Sequence, residues 1–148
     1  MTAPLRAESE PALSGEVRAL FADLAHGGEM AAAAGVAAGS EGIFAGEAGS
    51  REQGTLVRVQ LRIGLADRTV REMRYRAFGC PYTLAVCEWL ARRIGGCTLR
   101  VLSGDGLAEV VGTAARWCEG LGIPPGRLGR LLIIEDALFA ALQAAAAK

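Results

Sequence analysis

Cys80 falls where a strand-like run ending at Gly79 gives way to a helix-like run opening at Pro81. A thiol at the first turn of a helix faces backbone N–H groups that lack intrahelical acceptors, at the positive end of the helix dipole. Both favour the thiolate, the form that binds metals and attacks sulfur. The other cysteines, Cys87, Cys97 and Cys118, make no paired C-x-x-C pattern, which argues against a zinc ribbon. Cys87 lies two helical turns beyond Cys80, roughly 10 Å along the axis, so the two share a face without reaching one metal. Cys87 and Cys118 fall on apolar stripes, where a free thiol is a small buried hydrophobe. Cys97 follows two glycines and is expected at an exposed turn, with a redox role open. His26 is the only histidine. It is expected at the end of the first helix, where a cation satisfies the last carbonyls. One histidine and no base partner for Cys80 argue against a Cys–His hydrolase, and no enzymatic activity is expected.

The elements that must position these residues can be read from periodicity. Ser14 is placed to cap a helix over residues 14–25, with Val17, Leu20, Phe21 and Leu24 at helical spacing and Gly27-Gly28 as its stop. Residues 29–54 are rich in Ala, Gly and Glu. Ala31–Ala38 has weak helical character, and Ile43-Phe44 is the apolar anchor of a short strand. Val57, Val59, Leu61 and Ile63 alternate with Arg58, Gln60 and Arg62, the mark of a half-buried strand. A turn over residues 64–68 leads to a second strand with Met73, Tyr75 and Ala77 on one side and Glu72, Arg74 and Arg76 on the other. Pro81 opens a helix with Leu84, Cys87, Ala91 and Ile94 on one face, stopped by Gly95-Gly96. Asp105 is expected to cap a helix running through Leu121. Pro124-Pro125 breaks the chain, and a last helix carries Leu132, Ile133, Ala137, Leu138 and Ala141. Strands grouped before helices predict an α+β fold, a small antiparallel sheet of about three strands covered on one face by helices.

The whole chain sets bounds. Its 148 residues, 51% of them apolar, suit a single domain over residues 13–148 behind a flexible tail at residues 1–12. A formal net charge of zero argues against bulk nucleic-acid binding. No apolar run approaches the roughly 18 residues of a membrane span, and the start lacks the basic and apolar regions of a secretory signal. Unpaired cysteines then point to a reducing cytoplasm. The hairpin over residues 54–78 carries six arginines against Asp67 and Glu72. That excess suits either an acidic partner's docking face or an ordinary solvated sheet face.

Several runs, in order, resemble the IscU/NifU N-terminal family of iron–sulfur assembly scaffolds. Phe78-Gly79-Cys80 resembles the family's Tyr/Phe-Gly-Cys strand end, and Gly96-Cys97-Thr98-Leu99 its Gly-Lys-Ser/Thr-Leu turn. Leu121-Gly122-Ile123-Pro124-Pro125 resembles the Leu-x-Leu-Pro-Pro segment, and Glu135-Asp136-Ala137-Leu138 the family's last helix. The likeness runs from Leu13 to Ala144. It implies the α+β fold above and a role in iron–sulfur cluster assembly.

The resemblance also locates substitutions. The family holds its cluster with three cysteines, an aspartate and a histidine. Here Gln53 replaces the first thiol and Thr55 the carboxylate, and Gly129-Arg130 stands where the histidine and third cysteine belong. Cys80 alone keeps its ligand type. Clusters take four ligands, mostly thiolates, so no iron or cluster is expected to bind stably to this chain without ligands from a partner. The family's chaperone handle, Leu-Pro-Pro-Val-Lys, reads Ile123-Pro124-Pro125-Gly126-Arg127. That segment is either a weakened handle or simply a helix breaker. Implied partners are a cysteine desulfurase, an HscA-type chaperone or a scaffold paralogue. One functional expectation is a scaffold-like protein in which Cys80 accepts sulfur or lends one ligand to a shared cluster. The other is a non-catalytic interaction or regulatory protein that keeps the fold and binds no metal.

Overall fold

The computed structural model describes residues 13–30 and 40–147. The tail at residues 1–12 and the weak helix at 31–38 lie outside them. The described elements are α1 (Gly15–Ala22), β1 (Glu41–Ser50), β2 (Thr55–Gly64), β3 (Val70–Phe78), α2 (Pro81–Ile94), α3 (Gly106–Val111), α4 (Ala114–Leu121), a 3-10 turn (Pro125–Arg127) and α5 (Leu128–Ala146).

The strands form one antiparallel sheet in the order β1-β2-β3. Ser50 pairs with Thr55 across the first hairpin, and Leu56 with Phe78 across the second ladder. The alternation expected for β2 holds throughout. Val57, Val59, Leu61 and Ile63 are fully buried, as are Val70 and Met73 on β3. Over that face lie α5, against β1 and β2, and α2, against β3. Each such branched side chain contributes about 1.5–3 kcal/mol by leaving water. An α+β architecture with one covered sheet face therefore follows directly from the period-two and period-3.6 patterns meeting at Gly79.

Several local expectations change. The Ile43-Phe44 anchor belongs to a ten-residue strand. Its glycines obscured it in the sequence, yet they let α5 lie against it. A Cβ on Gly46 would overlap the Ala137 carbonyl oxygen and the Ala141 backbone nitrogen. The first helix stops at Ala22, well before His26. Gly27-Gly28 then docks on β3 instead of ending a helix, and the Gly28 N–H donates to the Tyr75 carbonyl at 2.8 Å. The span from Asp105 to Leu121 is two helices. Gly112 sits at φ 79°, and Thr113 starts the second by accepting from the Arg116 N–H. Asp105 is itself in helical geometry and caps nothing. The last helix begins at Leu128, one turn before Leu132.

The outer sheet face is not an open field of positive charge. Arg62 bridges Glu41 at 2.9 Å and Glu72 at 3.2 Å, and Arg74 reaches Glu72 at 2.7 Å. Arg71 pairs with Asp67 at 2.9 Å. Glu29 lies 3.6 Å from Arg58 and 3.7 Å from Arg76. Carboxylates from outside the hairpin, Glu29 and Glu41, thus offset half of the excess counted within it.

Candidate thiol site at the sheet end

Cys80 occupies the N-cap position of α2, with φ −81° and ψ 169°, and Pro81 starts the first turn. Extended backbone at Cys80 is what the following proline favours. It turns the sulfur back over the first turn, where Sγ lies 3.6 Å from the Thr83 hydroxyl. The thiol is half-buried. Burial alone would raise its pKa. The Thr83 hydroxyl, the Thr83 and Tyr82 backbone N–H groups and the Arg130 side chain outweigh burial and lower it. Thr83 is fully buried, so its hydroxyl is held in place. Arg130 enters from the first turn of α5.

The β1–β2 turn reaches the same end of the sheet, because Leu56 pairs with Phe78, two residues before Cys80. Gln53 stands exposed in that turn, its backbone N–H donating to the Ser50 hydroxyl at 3.2 Å. Thr55 is fully buried, and its hydroxyl has no hydrogen-bond partner among the described residues. Gly129 is exposed with open space where a side chain would stand. Of the positions singled out in the sequence, Cys80 and Arg130 are in direct interaction. Gln53 and Thr55 are brought to the same sheet end by register. The donor set is one thiolate, one hydroxyl, one amide and one guanidinium. Such a set does not suit iron or zinc, which need four donors and no fixed cation among them. Among the described residues no three His, Cys, Asp or Glu side chains gather in a way that could hold a metal.

The remaining thiols stand apart. Cys87 is fully buried, and burial pushes its pKa far up, followed by the charge of Glu88. Cys118 is half-buried, and burial, then Glu119, raises its pKa. Cys97 is also half-buried, its sulfur 3.8 Å from the Arg93 carbonyl oxygen. In the Pro-Pro segment, Ile123 is 3% exposed and part of the core. Pro125–Arg127 is wound into a 3-10 turn between α4 and α5, with Arg127 5.6 Å from the Tyr82 ring centre. Pro125 and Gly126 are exposed, whereas a handle gripped at Ile123 would have to leave the core.

His26 plays a part the sequence did not reveal. Its Nδ1 lies 2.7 Å from Glu88 Oε2, and its backbone N–H donates to Glu88 Oε1 at 2.9 Å. It caps no helix. Glu88 is fully buried on α2. A signal existed: Glu88 shares the stripe of Leu84 and Ala91, and a charge on an apolar stripe demands partners.

Comparison with known proteins agrees with this geometry. A Brucella abortus NifU-like protein (N-terminal) superposes with a TM-score of 0.58 at 14% identity, covering 90% of this chain and 94% of that one. A protein from Fervidobacterium islandicum, described as a candidate iron–sulfur cluster assembly scaffold for the SUF system, gives 0.58 at 14% identity over 87% and 95%. At that identity they speak for the fold. In sequence, the chain is 33% identical over 110 residues to the bifunctional protein NifU/MnmA of Rubrobacter xylanophilus, covering 74% of this chain and 21% of that one. It is 24% identical to the mitochondrial iron sulfur cluster assembly protein 1 of Candida glabrata, over 66% of this chain and 43% of the relative. The chain thus spans about a fifth and under half of these relatives' lengths. No helix among the described residues is long and apolar enough to cross a membrane. Residues 15–143 match the NifU-like N terminal domain along nearly their whole extent, and with the three-stranded sheet and the thiol at its end this chain belongs to that family.

Proposed function

We propose that this chain serves iron–sulfur cluster assembly as a scaffold-type protein whose working group is the Cys80 thiolate. The observation that carries this reading is the lowered pKa of a half-buried thiol held by Thr83, two backbone N–H groups and Arg130. A thiol held this way gives up its proton more readily than a free one, and the thiolate is the nucleophile. It attacks the terminal sulfur of a protein persulfide on a cysteine desulfurase. A new S–S bond forms at Cys80, the donor's S–S bond breaks, and the donor cysteine leaves as thiolate. No net oxidation occurs. Arg130 offsets the charge of the resulting persulfide anion.

With Gln53, Thr55 and Arg130 around it, Cys80 serves a cluster only as one ligand among others supplied by a partner subunit. A scaffold paralogue fits that part.

Anaerobic incubation with glutathione persulfide, read by intact mass and peptide mapping, tests the sulfur step. One added sulfur on Cys80 is expected, and equal loading of Cys80→Ser would overturn it. Reconstitution with ferrous iron and sulfide, followed by an absorption spectrum, tests the ligand set. The chain alone should stay colourless, and a full cluster spectrum would overturn the single-ligand reading. Neither sulfur uptake by Cys80 nor altered partner binding in Cys80→Ser would leave the fold as an interaction or regulatory module.

A further inference from the structure

We infer that the cleft between α2, α3 and α4 is a docking site for an acidic peptide segment carrying one large apolar side chain. This inference is independent of the role given to Cys80.

The cleft encloses about 340 Å³ and is walled by Trp89 on α2 and by Trp117 on α4. These are the chain's two tryptophans. Trp117 is 3% exposed and fixed in orientation, its Nε1–H donating to the Val111 carbonyl at 2.6 Å. Trp89 is half-buried, with the Arg93 guanidinium over its ring, so the part of the indole that Arg93 leaves uncovered is what faces a ligand. A partly exposed indole backed by a rigid buried one is the kind of surface on which an apolar side chain anchors at an interface.

The charges at the rim decide what kind of ligand fits. Arg93 and Arg116 both line the cleft and are both exposed. Among the described residues neither forms an ion pair, with the neighbouring Glu109 or with any other carboxylate. The sheet arginines Arg58, Arg62, Arg71, Arg74 and Arg76 all do. The Arg93 guanidinium stacks 4.1 Å from the Trp89 ring centre. Stacking holds its plane fixed and leaves its N–H edge free for a carboxylate. Two guanidinium groups without an ion pair among the described residues, against one carboxylate, make this cleft locally positive. An acidic segment therefore finds arginines without an ion pair here on the helical layer. Two cations are too few to hold a nucleic-acid backbone, whose binding rests on many phosphate contacts.

The experiment is a titration with a capped heptapeptide bearing one central phenylalanine flanked by aspartates. Intrinsic tryptophan emission is the readout, since both fluorophores line the cleft. A saturable change in emission is expected. A peptide with lysines for aspartates, and one with alanine for phenylalanine, should give no such change. Arg93→Glu/Arg116→Glu, at surface positions, should weaken binding by roughly tenfold or more with Tm preserved. Glu109→Gln should tighten binding, because it removes the one opposing charge. The inference falls if the acidic peptide leaves emission unchanged, if the lysine or alanine peptide responds equally, or if the charge variants bind as the parent does.

Discussion

Tyr75 donates its hydroxyl proton to Glu88 Oε1 across 2.9 Å, tying the middle of β3 to α2 inside the core. The same carboxylate receives the His26 N–H, faces His26 Nδ1 and accepts from Arg92 Nε at 2.8 Å. A buried carboxylate is tolerable only because its acceptor sites are all used. Replacing it leaves buried donors without acceptors. Glu88→Ala is expected to cost on the order of 3 kcal/mol, and Glu88→Gln somewhat less. Urea unfolding of the parent and both variants checks this.

Acid should dissolve the same hub. Burial raises the Glu88 pKa, but Arg92, both His26 groups and Tyr75 outweigh it, so the folded value lies below the ordinary one. A carboxylate with a depressed folded pKa contributes its full stability above its unfolded pKa of about 4.3 and loses it as pH falls through the folded value. Glu72 adds in the same direction, because Arg74 and Arg62 outweigh the effect of its burial. Tm should hold from neutrality to about pH 5 and then fall. In Glu88→Gln the acid fall should be shallower, and the two Tm curves should converge at low pH. Parallel curves would show that Glu88 is not the titrating group.

Thiol reactivity reports on Arg130. In a Cys97→Ser/Cys118→Ser background, iodoacetamide labelling of Cys80 should rise with pH around a midpoint below the ordinary thiol value of about 8.5. Arg130→Ala and Thr83→Val should each move that midpoint up and slow labelling near neutrality several-fold, because each removes a group that favours the thiolate. A midpoint unchanged in both variants would mean that neither group acts on the sulfur.

What the sequence discloses depends on how local the cause is. The alternation from Val57 to Ile63 and the helix after Pro81 are set by neighbours along the chain, and both are seen in the structure. The strand β1 is hidden because what it needs is absence of side chains. Gly46 serves α5, ninety residues away in sequence, and a glycine there reads locally as loop. The break at Gly112-Thr113 was visible as a glycine followed by a good capping residue, yet the apolar spacing ran through it. At the site, the position of Cys80 at a helix start is legible from its neighbours, whereas its meeting with Arg130 is legible only through the resemblance. The charge of Glu88 on an apolar stripe asks for partners, but nothing local points to His26, 62 positions away.

Gly46 and Gly129 make a paired test of that close approach. Gly46→Ala forces a Cβ into the α5 backbone, so the sheet and helix must separate. A loss of about 3 kcal/mol or more is expected. Gly129→Ala meets nothing within 4 Å, on a helical residue. It should be neutral or stabilise by up to about 1 kcal/mol. Thermal denaturation of both variants separates the two, and equal effects would contradict the packing of α5 on β1.

Thr55, the residue that the resemblance sets against the family's carboxylate, is sealed. Its hydroxyl lies in a fully buried side chain without a partner among the described residues. An unsatisfied buried hydroxyl is a cost, so removing it at constant shape should not weaken the fold. Thr55→Val keeps the β-branched outline that suits a strand. It is expected to leave stability unchanged or raise it by about 1 kcal/mol. Thr55→Asp instead places a charge where neither water nor a donor awaits it, and should destabilise by several kcal/mol. If Thr55→Asp folds as well as the parent, the β2 entrance is more open than its burial indicates, and a second oxygen ligand beside Cys80 becomes available. Equilibrium unfolding of the two variants, run beside Cys80 labelling in each, decides between a closed strand end and one that still admits a ligand.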